Sequence, residues 1–307
     1  MTDLASSDIL TGGTGDRSQR VVLSLTIAYF FVELAGGLHF GSLALITDAS
    51  FMAINITGQI IAFYASKLAR RLPDRSKTFG YERAKVLSGL FNGILVGFLI
   101  FYVLTEAYRK ILHPVPIEAA KVLGIAVLGL AVNAYGLWRL YGHSERIHIR
   151  GALLLILNDT LGSVGVIVSS IIITFTGYYA LDPLAGVCIS LLVGYPTYFL
   201  VRDSVNILME GNPSAIKFED VERYIYETFS YVRNVKDLHI WGLSPEYVIC
   251  TVRVRTDIVT NHRDTVRSMK GRLRERFGFA DVFIEEYELK AGNGLISSAA
   301  DGRAEVQ

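Results

Sequence analysis

The chain has 307 residues, 51% of them hydrophobic, with a mean hydropathy of +0.38 and a formal net charge of +1. That apolar share is above the norm for a soluble domain. No clustered basic face of the kind a nucleic-acid binder carries is left over once the loops have taken their Lys and Arg, so no nucleic-acid partner is expected.

Residues 1–19 (MTDLASSDILTGGTGDRSQ) have the composition of a disordered tail. Six apolar runs follow, at 21–38, 42–66, 86–105, 122–137, 152–179 and 183–200. Each reaches or approaches the ~20 residues that cross a bilayer, which predicts six spanning helices embedded in lipid. The first run lies behind a polar stretch and lacks a small-x-small site at its end, so it is not read as a cleaved signal peptide. The connections KLARRLPDRSKTFGYERAK and WRLYGHSERIHIR are basic, whereas HFGS and GYYALDP carry no Lys or Arg; only YRKILHPVPIEAAK, after the third run, departs from the alternation. By the positive-inside rule both termini are expected in the cytoplasm, and the absence of a targeting segment fits a bacterial plasma (inner) membrane.

The composition changes beyond Gly211. PSAIKFEDVERYIYETFS has apolar residues at helical spacing, with a start expected near Pro213 or Ser214. NVKDLHIWGL and EYVICTVRVRT predict two strands joined at Ser244-Pro245-Glu246, the second alternating with a period of two. HRDTVRSMKGRLRERFG predicts a helix ended by Gly278, and ADVFIEEYE a last strand. The fold class is therefore an α-helical membrane protein with a cytoplasmic α+β (αββαβ, ferredoxin-like) domain, its helices on one side of a small sheet. The expected divisions are a tail at 1–19, a six-helix domain at 20–210, the αββαβ domain at 211–290 and a loose tail at 291–307. Cys188 and Cys250 fall in different layers, which argues against a disulfide.

The second run carries LITDASFMAIN, in which Asp48 and Asn55 lie two helical turns apart with Phe51 between them on the same face. A carboxylate inside a membrane helix is expensive and usually functional, which also singles out Asp159. Asp48 is read as an accessory polar group that accepts a hydrogen bond between helices, and Glu33 as facing polar groups of a neighbouring helix. The bland reading of Asp159 is a structural carboxylate bonded to Asn55 or Ser163. The six histidines are scattered, without a second ligand at metal spacing. With no nucleophile–base pair or phosphate loop in the sequence, neither an enzyme nor an ATP-driven pump is expected.

Several stretches recur in a recognisable order: VELAGGLHFGSLALITDA, TFGYERAKVLSGLFNG, LHPVPI, LNDTLGSVGVI, LDPLAG, ILMEGNP and VKDLHIWGL. Six spans, these motifs and an αββαβ domain together resemble the cation diffusion facilitator family of metal transporters, from about residue 21 to residue 289. The resemblance implies a homodimer that exports Zn²⁺ or another divalent metal in exchange for protons, with the metal as cargo and no tightly bound cofactor. It also implies a tetrahedral site, a His-or-Asp-x-x-x-Asp pair on the second helix facing a similar pair on the fifth. Ligands at i and i+4 share a face, and such groups bind both metal and protons. The matching positions are Phe51 and Asn55, and Leu155 and Asp159. Phenyl and isobutyl groups cannot coordinate a metal, so Asp159 and Asn55 are the remnant of the transport site.

The family's secondary sites match Asp74, Lys77 and Tyr81 in the loop after the second span, with Lys85 where a glutamate is common. In the soluble domain they match Lys236, Arg253 and Tyr287, while Glu285 retains a ligating group. Arg83 and Glu210 match a charge pair between the third and sixth helices. Two expectations follow: a proton-coupled divalent-metal transporter with an atypical site, or a transport-deficient member that dimerises with itself or forms a heterodimer with an active paralogue.

Overall fold

The computed structural model describes residues 14–141, 147–212, 216–257 and 262–287, without the side chains of 14–20, 23, 140–141, 147–155 and 262. In lipid every backbone N–H and C=O must be bonded within its own segment, so the apolar runs become helices. These are α1 (Thr14–Phe40), α2 (Leu43–Ala69), α3 (Arg83–Leu112), α4 (Ala119–Tyr141), α5 (Ile147–Thr176) and α6 (Leu181–Leu208). Five of them are long and apolar enough to cross a membrane, and the described apolar part of α1, Ser24–Phe40, is shorter. Helix α1 begins at Thr14, inside the stretch expected to be a tail; residues 1–13 and 288–307 lie outside the described residues.

The chain forms two compact units, Met1–Val205 and Asn206–Gln307. In the first, α2 packs on α1, α3 and α5, and α4 packs on α1 and α5. A polar staple fixes one end of the bundle. Gly41 turns the chain with φ of 71°, and its carbonyl accepts from Lys110 Nζ at 2.7 Å. Ser42 then caps α2, its Oγ accepting from Leu45 N at 3.2 Å. Asp182, in the first turn of α6, accepts from Ser42 Oγ at 2.5 Å and from Leu43 N at 2.6 Å. Helices α2 and α6 therefore start side by side. Because α5 reaches α6 through the short turn at Gly177, it runs antiparallel to α2.

The second unit contains α7 (Phe218–Thr228), β1 (Val232–Ser244), β2 (Tyr247–Thr256), α8 (His262–Phe277) and β3 (Asp281–Glu286). Strand β1 pairs antiparallel with β2, and β2 pairs parallel with β3. Val248, Cys250, Val252 and Val254 bury one face of β2 against Val221 and Ile225 of α7 and Met269 and Leu273 of α8, which puts both helices on one side. Helix α7 starts later than Pro213 or Ser214: Lys217 is extended and Glu219 and Asp220 fill the first turn, where carboxylates suit the helix dipole. Helix α8 stops at Gly278, which adopts φ of 72°. Both cysteines are free, and burial pushes the Cys250 thiol up to about 12.

Replacing Asp182 by Ala removes the acceptor for a buried hydroxyl and for the first N–H of α2. Unsatisfied buried donors cost about 1–3 kcal/mol each. Asp182→Ala is expected to lower the unfolding midpoint in detergent clearly, and Asp182→Asn, which keeps a carbonyl oxygen, less so.

Candidate functional site

The polar stripe of α2 points into the bundle. Asp48 is 4% exposed and Glu33 of α1 is fully buried. The two carboxyl groups stand within hydrogen-bonding reach of each other, and Tyr29 Oη donates to Glu33 Oε1 at 3.1 Å. From the other side α5 comes against Asp48 at Gly162, where a Cβ would lie 2.4 Å from Asp48 Oδ1. Only a residue without a side chain fits there. Asp159, half-buried one turn along α5, acts on Glu33 and Asp48 through space rather than by a hydrogen bond. Acids from three helices thus converge. Asp48 lies between Glu33 and Gly162, and the polar groups that Glu33 faces are Tyr29 and Asp48.

Phe51 is 3% exposed and belongs to a core cluster with Ala44, Leu45, Val96, Val122 and Ala126. With Gly162 level with Asp48 and the helices antiparallel, Asp159 comes level with Phe51, about 4.5 Å further along. Asn55 follows one turn later and is half-buried. The side chain of Leu155 lies outside the described residues. Ser163 does not hold Asp159, because its buried hydroxyl has no hydrogen-bond partner. A group that the sequence did not suggest is Asn92 of α3. Its buried Oδ1 has no partner and lies 2.3 Å from where a Cβ on Gly58 would be. Among the described residues no three His, Cys, Asp or Glu side chains are grouped to hold a metal ion.

The loop between α2 and α3 satisfies its own carboxylate. Asp74 Oδ1 accepts from Ser76 N and Ser76 Oγ, each at 2.7 Å, and from Lys77 N at 2.9 Å. Asp74 Oδ2 accepts from Tyr81 Oη at 2.6 Å. The Tyr81 hydroxyl, with Ser76 and the two backbone N–H groups, holds the Asp74 carboxyl well below the usual carboxylate range. Its carboxylate raises the Tyr81 phenol in return. Lys85 pairs with Glu82 at 2.9 Å.

In the soluble unit the sheet register sets Lys236, Arg253 and Glu285 side by side across β1, β2 and β3. The Arg253 guanidinium donates from Nη1 to Asp237 Oδ2 at 3.0 Å and pairs through Nε with Glu285 Oε2 at 3.3 Å. It also stacks on the Tyr287 ring 5.5 Å from the centroid, with Lys236 Nζ at 6.0 Å from the same ring. Asp237 takes φ of 49° where β1 departs from regular register. A fixed cation thus sits where the resemblance expects a metal. Arg83 opens α3 in one unit and Glu210 follows α6 in the other.

Residues 20–209 match the family described as cation efflux transmembrane domain, and residues 213–285 the one described as cation efflux protein, cytoplasmic domain. Over 275 residues the chain is 37% identical to the cation efflux system protein CzcD of Alcaligenes sp. strain CT14, covering 89% of this chain and 87% of that protein. It is 34% identical over 236 residues to a cadmium, cobalt and zinc/H(+)-K(+) antiporter of Bacillus velezensis, with coverage of 76% and 75%. It is 32% identical over 267 residues to the zinc transporter ZitB of Escherichia coli K12, with coverage of 86% and 85%.

Two outcomes follow from these substituted sites. A depressed carboxyl pKa stabilises the fold above the unfolded value of about 3.9 and loses that effect only as pH falls through the folded value. Hydrogen exchange at the Ser76 and Lys77 amides should therefore stay protected from about pH 7 down to about pH 4, and Asp74→Ala, which removes the acceptor, should remove the protection throughout that window. For the sheet, Arg253→Ala should speed amide exchange in β2 and β3, by a margin that shrinks as salt rises because the groups are exposed. A chelator should leave wild-type exchange there unchanged, and faster exchange with EDTA would contradict the guanidinium's role.

Proposed function

Since this chain belongs to the cation efflux family, the cation diffusion facilitators, we propose that it is an integral membrane transporter, working as a homodimer, that moves a divalent cation in exchange for protons. The transport site is reduced to Asp159 and Asn55. The observation that carries this reading is the convergence of Asp159 with Asp48 and Glu33 inside the bundle, because acids are kept at membrane depth where ions or protons pass. The names of the relatives, which specify cation efflux, zinc transport and H⁺-linked antiport, support the same class. The match to the family's cytoplasmic domain supports the homodimer.

Phe51 fills one ligand position and Leu155 another, so the remaining donors are oxygens: a carboxylate, an amide and water. Oxygen donors suit hard ions such as Mg²⁺ and Mn²⁺ better than Zn²⁺. One carboxylate holds a divalent ion weakly. The basic connections after α2 and α4 support both termini on the cytoplasmic side of a bacterial inner membrane.

A second reading is a transport-deficient member serving as partner to itself or to an active paralogue. The lack of any three-ligand group among the described residues favours it.

Flux into proteoliposomes separates the two. With Zn²⁺, Mn²⁺, Co²⁺ and Mg²⁺ tested singly, wild-type protein is expected to carry at least one ion, and Asp159→Ala to lose that flux. The double variant Phe51→His with Asn55→Asp, which restores a donor pair at i and i+4, is expected to gain Zn²⁺ flux. Silence of a folded wild-type dimer across the panel would establish the second reading.

A further inference from the structure

Among the described residues Glu33 is the least exposed acid of the membrane unit, and it is not one of the two residues assigned to the cation, Asp159 and Asn55. Its Oε1 accepts from Tyr29. Its Oε2 is buried with no donor supplied by any described group, yet the carboxyl of Asp48 stands within hydrogen-bonding reach. Two ionised carboxylates can only accept, and two like charges held this close in a bilayer interior cannot both persist. A hydrogen between them gives the buried Glu33 Oε2 the partner that it otherwise lacks.

The surroundings fit that arrangement. Among the described residues, the titratable groups that face the pair are Tyr29 from α1 and Asp159 from α5, while α4 contributes the Ile125 carbonyl. No Lys, Arg or His stands among these groups to neutralise the acids. Tyr29 has one hydroxyl hydrogen and two acceptors, Glu33 Oε1 at 3.1 Å and Ile125 O at 3.3 Å. It can donate to the carboxylate, or turn to the carbonyl when Glu33 carries the hydrogen. The hydroxyl is held there by Gly129, where a Cβ would lie 2.1 Å away.

We propose that Glu33 and Asp48 form a proton-binding site separate from the Asn55–Asp159 position, sharing one exchangeable proton that a bound cation displaces. The second half rests on the transport reading above. In the step, one carboxyl O–H bond breaks, its electron pair stays on oxygen and the proton passes to water. The pair changes from one negative charge to two, offset by the incoming divalent cation beside Asp159. When the cation leaves, a proton returns.

The test uses the full chain in phosphatidylethanolamine–phosphatidylglycerol liposomes. Infrared difference spectra without metal should show a protonated-carboxyl C=O band that shifts in D₂O. The band should disappear in Glu33→Gln and in Asp48→Asn, and persist in Asp159→Asn. Absence of the band in wild type, or its persistence in both Glu33→Gln and Asp48→Asn, overturns the shared proton. Under Zn²⁺ and Mn²⁺ gradients in separate arms, a trapped pH dye should report proton counter-movement in wild type. Glu33→Gln should lower the number of protons moved per cation; an unchanged ratio in this variant overturns the coupling. If wild type carries no cation, the transport reading and the displacement step fall together, while the band, read without metal, still decides the proton site.

Discussion

A polar group buried in a helical bundle in lipid has little water to turn to, so its partner in the protein decides its cost. The membrane unit is organised around that constraint. Asp182 meets it at one end by accepting from Ser42 and Leu43, which pins the first turn of α2 to the first turn of α6. With that end fixed, the direction of every later residue on α2 follows from the helical repeat. Asp48 comes to face Glu33 and the gap at Gly162, and Phe51 comes to lie in the core. The acids are structural members first, and their possible chemistry depends on how each is satisfied.

The three regions where the resemblance expects metal share a physical solution. Each position is closed by a group belonging to the chain. Arg253 brings a permanent charge between Asp237 and Glu285, so the strands are cross-linked without an ion that could dissociate. Tyr81 and the Ser76–Lys77 backbone saturate Asp74, leaving its oxygens few free lone pairs to offer. Phe51 puts a ring where a donor would stand and is held by neighbours from several helices. In two cases a bond that would depend on ion concentration is replaced by one that does not. In the third a polar position is made apolar.

The architecture was legible in the sequence because it depends on run length and period. Apolar runs near bilayer length gave the helices, and the alternation of 247–255 gave β2 with its inward valines. The start of α7 was misplaced because Pro213 and Ser214 look like an N-terminal signal, whereas the acidic pair Glu219–Asp220 marks the actual first turn. The individual acids were visible, but their partners were not. Glu33 meets Asp48 across a hairpin, and Asn92 meets α2 at Gly58, through packing that no local spacing encodes. The one available cue was the small residues: Gly58, Gly129 and Gly162 each mark a point where a polar side chain from another helix needs the room. The bond from Ser163 to Asp159 was plausible at i and i+4, yet the buried hydroxyl has no hydrogen-bond partner.

Where one set of carboxylates binds both metal and protons, losing ligands weakens both functions together. Here the polar groups fall into two sets, Glu33 with Asp48 on one side of the Phe51 level and Asp159 with Asn55 at and beyond it. No ligand is shared between them, so any coupling must travel as charge. The Phe51 ring is buried, and a poorly screened interior carries the field of an ion further than a wet one does. On the proposed assignment, the ring that stands at a ligand position also strengthens the electrostatic link between what remains. On that argument Phe51 is the residue that lets a weakly held cation and a deeply held proton sense each other without touching.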